Sequence, residues 1–372
     1  MRIGVPREIK DNEYRVGLTP SSVAELVQHG HAVLVEKGAG LGAGFGDAAY
    51  ESIGASLIEG AGGVFESADL IVKVKEPLAP ERRMLRRGQT ILTYLHLAPD
   101  LELTQELLQS GANCIGYETV TSPQGGLPLL TPMSEVAGRL APQIGAHVLE
   151  KAAGGRGVLL AGAPGVPAAE VAILGAGVVG SAAAAIALGM GASIIVADRD
   201  PEALRRLDTR FRGAARTVFS TRTAIAEIVK RADLLIGAVL LPGARAPKLI
   251  VHEMLATMKP GAVIVDVAID QGGCCESSRA TSHSNPTFVS DGVVHYCVPN
   301  MPGVVPRTAS FALNNATLPF VLAIADKGWR RALREDANLR AGLQISDGKI
   351  VSEAVAQAHG LPCASIDAAI EE

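Results

Sequence analysis

The stretch VAILGAGVVGSAAAAIALGMGASIIVADRD (residues 171–200) decides the fold. It opens with a short apolar run, turns at Gly175, Gly177 and Gly180, continues through an alanine-rich segment, and returns in a second apolar run ending at Asp198. Short apolar runs bounded by glycine read as buried strands, and the alanine-rich segment reads as a helix. The G-x-G-x-x-G spacing answers a physical need. The first glycine makes a sharp turn, the second lets the backbone approach a pyrophosphate, and the third lets the helix pack on the strand. Unpaired N–H groups at the helix start attract the anion. Asp198 stands roughly 20 positions further on, where a carboxylate meets ribose hydroxyls. The pattern predicts a β–α–β unit that binds NAD, since a carboxylate there repels the 2′-phosphate of NADP. Arg199 directly follows and leaves some tolerance of NADP open. Glycines in ordinary turns beside a surface aspartate are the plainer reading; the strand before and the helix after weigh against it.

The rest of the chain suits that beginning. Its 372 residues suggest two domains, or three. Hydrophobic residues make up 48%, charged residues 19% and aromatics only 3%, which supports a large Val/Ile/Ala core and an α/β class. A net charge of −4 without basic runs argues against a nucleic-acid partner. The five cysteines, at 114, 274, 275, 297 and 363, include an adjacent pair and no C-x-x-C, so they read as reduced thiols of a cytoplasmic protein. No Cys/His spacing predicts a metal site. MRIGVPREIK at the start has no apolar signal region. Neither 181–197, broken by glycine, nor 262–269, short and carrying Asp266, reads as a membrane span.

Before 131, strand-like and helix-like stretches alternate: RIGVP, TPSSVAELVQHG, HAVLVEKG, SADLIVKVKEP, QTILTYLHLA, LELTQELLQSG and NCIGYETV. Thr19 or Ser21 would cap the first helix and Gly30 would end it. A long helical stretch begins at 131, and another follows 306. The expected organisation is residues 1–130 and 307–372 forming one α/β domain, which the family resemblance described below makes the catalytic one, with a Rossmann-type domain, 131–306, inserted. Two chain crossings make the cleft between domains the expected ligand site.

Several polar residues interrupt apolar runs. In VDVAIDQGG (265–273), Asp266 and Asp270 would share a face, with Asp270 at the carboxyl end of a strand, where open α/β sheets bind ligands. An aspartate in a strand-end turn is an equally good account. His96, in ILTYLHLAPD, falls at another strand end, although a lone histidine is more often structural. Arg15, in NEYRVGLTP, is a surface arginine or a carboxylate clamp. VKVKEP (72–77) alternates like a half-buried strand, leaving open whether Lys73 or Lys75 holds a ligand.

Taken together these segments resemble the alanine dehydrogenase family, over nearly the whole chain: MRIGVPREIKDNEYRVGLTP, VKVKEP, TYLHLA, MSEVAGRLAPQIGA, LGAGVVG, VIVDVAIDQGGC and GVVHYCVPNMPGVVPRTASFALNNATLP. The resemblance implies reversible NAD-dependent oxidative deamination of L-alanine to pyruvate and ammonium. It implies that Arg15 and Lys75 bind the substrate, that His96 and Asp270 handle protons, and that Lys73 is a solvated neighbour. Cofactor contacts carried over with it are Ser134, Val178, Val179, Asp198, Ser220, Val239, Leu240, Val267, Ala268, Ile269, Arg279, Val298, Asn300 and Met301, beside the glycine turn. A homohexamer without a membrane partner is also implied. Ala203 departs from the family, many of whose members carry Lys or Arg there, with Arg205 or Arg206 as possible substitutes. The rival within this fold is the NAD-binding subunit of proton-translocating transhydrogenase, which typically lacks the equivalents of Lys75 and His96. A saccharopine-dehydrogenase-like enzyme matches the motifs less well, and a silent NAD-binding protein would not need the full polar set.

Overall fold

The structure, a computed structural model, describes residues 1–239 and 246–371. The chain divides into two compact units, one made of Met1–Met133 with Gly303–Glu372 and the other of Ser134–Pro302. These limits lie a few residues from the expected 130/131 and 306/307. The first falls within the helix Thr131–Val148 and the second just ahead of the helix Pro306–Lys327.

Strands are numbered along the whole chain. The first unit holds β1 (Arg2–Val5), β2 (Ala32–Glu36), β3 (Ser56–Ile58), β4 (Leu70–Val72), β5 (Thr90–Thr93) and β6 (Asn113–Gly116). The second holds β7 (Glu170–Leu174), β8 (Ser193–Asp198), β9 (Ala215–Phe219), β10 (Leu234–Gly237), β11 (Val263–Asp266), β12 (Thr287–Ser290) and β13 (Val293–Tyr296). The chain then returns to the first unit with β14 (Leu343–Ser346) and β15 (Lys349–Ile350).

The first unit's sheet runs β15-β14-β6-β5-β4-β1-β2-β3. All pairings from β6 to β3 are parallel, while β14 lies antiparallel to both β6 and β15. Its central strands are buried on both faces, as parallel strands covered by helices must be. Phe65, Ile71, Ile91, Leu107, Cys114 and Ile345 join one core, so the C-terminal segment completes a sheet begun by the N-terminal one. Helix Pro20–Gln28 is capped by Thr19, of the two expected candidates, and helix Leu101–Ser110 by Asp100. Among the described residues only Pro306–Lys327 is long and apolar enough to cross a membrane by length and composition. It is a core helix here: its buried Ser310 and Asn314 accept the backbone N–H groups of Val16 and Thr19.

The second unit's sheet runs β12-β13-β11-β10-β7-β8-β9. Six of these strands are parallel, and counted from β7 their order is 3-2-1-4-5-6, the doubly wound order with its switch point beside β7. Strand β12 is added antiparallel at one edge.

Strands β3, β9 and β12 did not stand out in the sequence. All three lie at sheet edges, where one side chain in two or more is partly exposed and the apolar run is diluted. The strand read through VKVKEP stops at Val72. The helix begun at 131 ends at Val148 rather than running into the glycines.

Candidate active site

In the first unit, Arg15 is 2% exposed. Glu13 accepts from its Nε at 2.7 Å and from its Nη2 at 2.5 Å, while Nη1 meets the sulfur of Met133 at 3.0 Å. Burial lowers the guanidinium's pKa, but the hydrogen bonds and charge of Glu13 outweigh it and leave it raised.

Lys73 is fully buried, contrary to the expectation of a solvated neighbour. Its Nζ donates to Glu8 Oε2 at 3.1 Å and Glu81 Oε1 at 2.6 Å. The alternation that suggested an exposed face does not hold, because the strand has already ended and the side chain turns inward to two acidic partners. Burial pushes the Glu8 carboxyl up; burial also works against the Lys73 charge, but the two carboxylates hold its pKa above the ordinary lysine value. Lys75, two residues on, is half-buried, and its carbonyl accepts from Thr93 Oγ1 at 2.8 Å.

His96 lies just beyond β5 with φ +50°, a left-handed backbone that few non-glycine residues adopt. Glu118 holds it there: its carboxylate accepts from the N–H groups of Leu95 at 3.2 Å and His96 at 2.8 Å, and is itself met by Gln344 at 3.1 Å. The imidazole stacks on Tyr94, leaves nearly half of its surface in solvent, and presents Nδ1 to Glu76 Oε2 at 3.7 Å, within ion-pair range but beyond hydrogen-bond length. Burial raises the Glu76 carboxyl, but His96, Lys10 and the Lys75 charge outweigh it and hold it well below the usual glutamate range.

In the second unit the glycine turn has the expected form. Gly175 has φ +109°, and a Cβ there would stand 2.5 Å from the Ala238 carbonyl oxygen; a Cβ at Gly180 would lie 1.8 Å from that of Gly175. A Cβ at Gly177 would meet nothing within 4 Å, so this glycine faces open space at the start of helix Val178–Gly189. Asp198, at the end of β8, accepts from the Ala176 N–H at 2.5 Å and the Asp200 N–H at 2.8 Å. Val178 is exposed, Val179, Ser220 and Val239 are half-buried, and Ser134 is half-buried near the start of its helix. Leu240 lies outside the described residues. Ala203 is buried, so its short side chain packs inward; Arg205 pairs with Glu202 and Arg206 with Asp200.

Asp266 and Asp270 do not share a strand face. The chain enters a 3₁₀ turn, Val267–Gln271, in which Asp266 is the buried cap and Asp270 is exposed. Asp266 accepts from the N–H groups of Ala268 and Cys274 and from Ser278 Oγ. Asp270 Oδ1 accepts from the Asn300 N–H at 3.1 Å, which brings together two residues 30 apart in sequence. Ala268, Ile269, Val298 and Met301 are buried around this turn, Val267 is half-buried, and exposed Arg279 stacks on Phe288. Asp266, Cys274 and Cys275 place ligand-type atoms within 4.8 Å of one another, a group that no sequence spacing announced. The Cys274 thiol is pushed well up by its hydrogen bond to Cys275 and by burial, which favours a protonated core thiol.

Glu8, Glu13, Glu76, Glu118 and Gln344 escaped the sequence reading. Glu13 and Glu76 had one available signal: each is an acid within two positions of a cationic candidate.

This is an α/β chain in which a Rossmann-type domain interrupts a second α/β domain built from both chain ends, with a glycine turn in the former and a buried cationic cluster in the latter. The family model for the alanine dehydrogenase/PNT N-terminal domain matches residues 4–137 and that for the C-terminal domain residues 141–353, so the chain belongs to the alanine dehydrogenase/PNT family. It is 59% identical to an alanine dehydrogenase of Halomonas elongata, over 97% of each chain. A solved L-alanine dehydrogenase is similar at 50% identity and a TM-score of 0.94, over 97% of this chain and 99% of that one. A transhydrogenase from Sinorhizobium meliloti is similar at 27% identity and a TM-score of 0.82, over 95% and 100%.

Proposed function

We propose that the chain catalyses the reversible NAD-dependent oxidative deamination of L-alanine to pyruvate and ammonium. The observation that carries this is family membership over the full length together with an intact Arg15, Lys75, His96 and Asp270 set. The residues present fit NAD: the open space at Gly177 suits a pyrophosphate, and Asp198 stands at the strand end that faces a ribose. Ser134, Ser220, Arg279, Asn300 and Met301 are the further cofactor contacts of this reading.

When bound, NAD accepts the hydride from the substrate α-carbon. Arg15 binds the substrate carboxylate. Glu13 holds Nε and Nη2 of the guanidinium, so the group that meets the carboxylate is itself fixed in orientation. Lys75 polarises the oxygen that becomes the ketone, where negative charge develops. His96 takes a proton from the substrate ammonium or from attacking water and returns it in the reverse direction, the task for which imidazole is best matched near neutral pH. Asp270 orients water or ammonia and stabilises the cationic imine. Loss of an imidazole in this role removes about 10²–10⁴-fold of the rate.

The remaining parts of the reading are a cytoplasmic location, a homohexameric assembly, and no membrane or nucleic-acid partner. Five free cysteines, four of them buried, support a reducing compartment.

The test is NADH oxidation by the purified protein with pyruvate, with and without ammonium. Ammonium-dependent oxidation yielding L-alanine is expected. Oxidation without ammonium would instead mean a hydroxy-acid product and would overturn the roles of Lys75 and Asp270.

A further inference from the structure

The buried triad of Lys73, Glu8 and Glu81 has no place in the chemistry above. A buried ion cluster is often no more stabilising than apolar side chains of the same volume. Stability alone is therefore a poor account of three buried charges. Their hydrogen bonds point to another. Glu8 gives one oxygen to Lys73 and uses the other to accept the Val74 N–H at 2.7 Å. Glu81 gives one oxygen to Lys73 and uses the other to accept the Leu78 N–H at 2.8 Å. From the neighbouring strand segment, the Tyr94 N–H donates to the Val74 carbonyl at 3.2 Å, and Thr93 Oγ1 donates to the Lys75 carbonyl at 2.8 Å. Three consecutive peptide groups, 73–74, 74–75 and 75–76, are each held, just where β4 has ended.

What these bonds fix is the backbone that carries Lys75. A lysine ammonium rides on a flexible four-carbon stem and is placed only as well as its Cα. A functional group has to be held to within about 0.5 Å by its supporting shell, and a misplacement of about 1 Å can cost on the order of 10²-fold in rate. We propose that Glu8 and Thr93 are positioning residues for Lys75, with Lys73 and Glu81 fixing Glu8 in turn. This rests on the reading of Lys75 as the group that polarises the substrate oxygen. Lys73 thereby serves the reaction without meeting the substrate.

The test is a double-mutant cycle on kcat/KM for pyruvate, with ammonium and NADH, using the full-length assembly as purified. Lys75→Ala is expected to lower kcat/KM by about 10²-fold or more. Thr93→Val and Glu8→Ala are each expected to lower it about 10-fold when Lys75 is present, and by less than about 2-fold in the Lys75→Ala background, because residues acting through one group are not additive. Glu8→Gln, which keeps an acceptor for the Val74 N–H but gives up the one for Lys73, is expected to recover part of the activity lost in Glu8→Ala. Thr93→Val is isosteric and keeps the cycle available should Glu8→Ala not fold. Equal losses in both backgrounds would overturn the positioning role and leave Lys75 in place. Wild-type turnover by Lys75→Ala would overturn the Lys75 reading, and the proposal with it.

Discussion

Glu13 grips Arg15 along one edge of the guanidinium, with hydrogen bonds of 2.7 and 2.5 Å and at most 1% of either side chain exposed. Breaking such a pair strands a buried charge, which costs about 3–5 kcal/mol. Glu13→Ala is therefore expected to lower unfolding stability by about that amount in a denaturant titration. Arg15→Lys keeps the charge but loses the planar fork. A hydrogen bond to a charged group contributes about 1.5–3 kcal/mol, so KM for pyruvate should rise by about 10–100-fold while KM for NADH stays unchanged. A KM for pyruvate that does not move would remove Arg15 from the carboxylate clamp.

Glu76 links His96 to protein stability. Its carboxyl is held below the ordinary range despite burial, chiefly by His96 and Lys10. A depressed folded pKa means that its ionised form contributes stability in full above the unfolded value of about 4.3. That contribution is lost as pH falls below this value toward the folded one. Glu76→Gln is expected to flatten the loss of stability between about pH 5 and pH 3, measured by thermal unfolding across that interval. A variant whose acid profile matches the wild type would show that the ion pair contributes nothing to stability.

How much of this could be read in advance depended on range. The glycine turn and Asp198 were legible because every demand on them is made within one β–α–β unit. His96, Lys75 and Arg15 stand out in the sequence by position and by resemblance, but the residues they pair with do not. Lys73 was misread because its acidic partners, Glu8 and Glu81, lie outside the strand, 65 and 8 positions away, and alternation along a single strand cannot report them. The pairing of Asp266 with Asp270 failed for a related reason: periodicity assumes that the strand continues, and here a 3₁₀ turn begins immediately after Asp266. The left-handed backbone of His96 depends on Glu118, which in turn is met by Gln344 from β14, so three distant segments set one dihedral angle.

Asp198 does two things at once, and they can be separated. Its carboxylate ties the glycine turn to the end of β8 through the Ala176 N–H, and in the proposed complex it meets the ribose hydroxyls. Asp198→Asn keeps one acceptor, for the Ala176 N–H, gives up the other, for the Asp200 N–H, and removes the charge that repels a 2′-phosphate. It is expected to shift the ratio of kcat/KM for NADH over NADPH toward NADPH by about 10-fold, corresponding to about 1.4 kcal/mol, with a loss of stability no larger than the one hydrogen bond given up, about 1 kcal/mol. An unchanged ratio would argue against the ribose contact.

Packing and binding divide between two glycines of one motif. Gly177 and Gly180 lie in the same turn but face different things. A Cβ at 180 would stand 1.8 Å from the Gly175 carbonyl oxygen, a rigid backbone atom, so Gly180→Ala must push the helix off the strand. Overpacking of this kind costs about 1–3 kcal/mol or more, and the variant should melt at lower temperature with NADH absent. A Cβ at 177 would meet nothing, and the backbone there has φ −73°, which alanine adopts freely. Gly177→Ala is therefore expected to keep its melting temperature but to bind NADH at least 10-fold more weakly, because the methyl group occupies the space a pyrophosphate needs. Calorimetric titration with NADH and thermal unfolding of both variants read the two effects separately. If Gly177→Ala binds NADH like the wild type, the open space beside the turn is not where the pyrophosphate sits, and the nucleotide must be placed elsewhere along the carboxyl ends of β7 and β10.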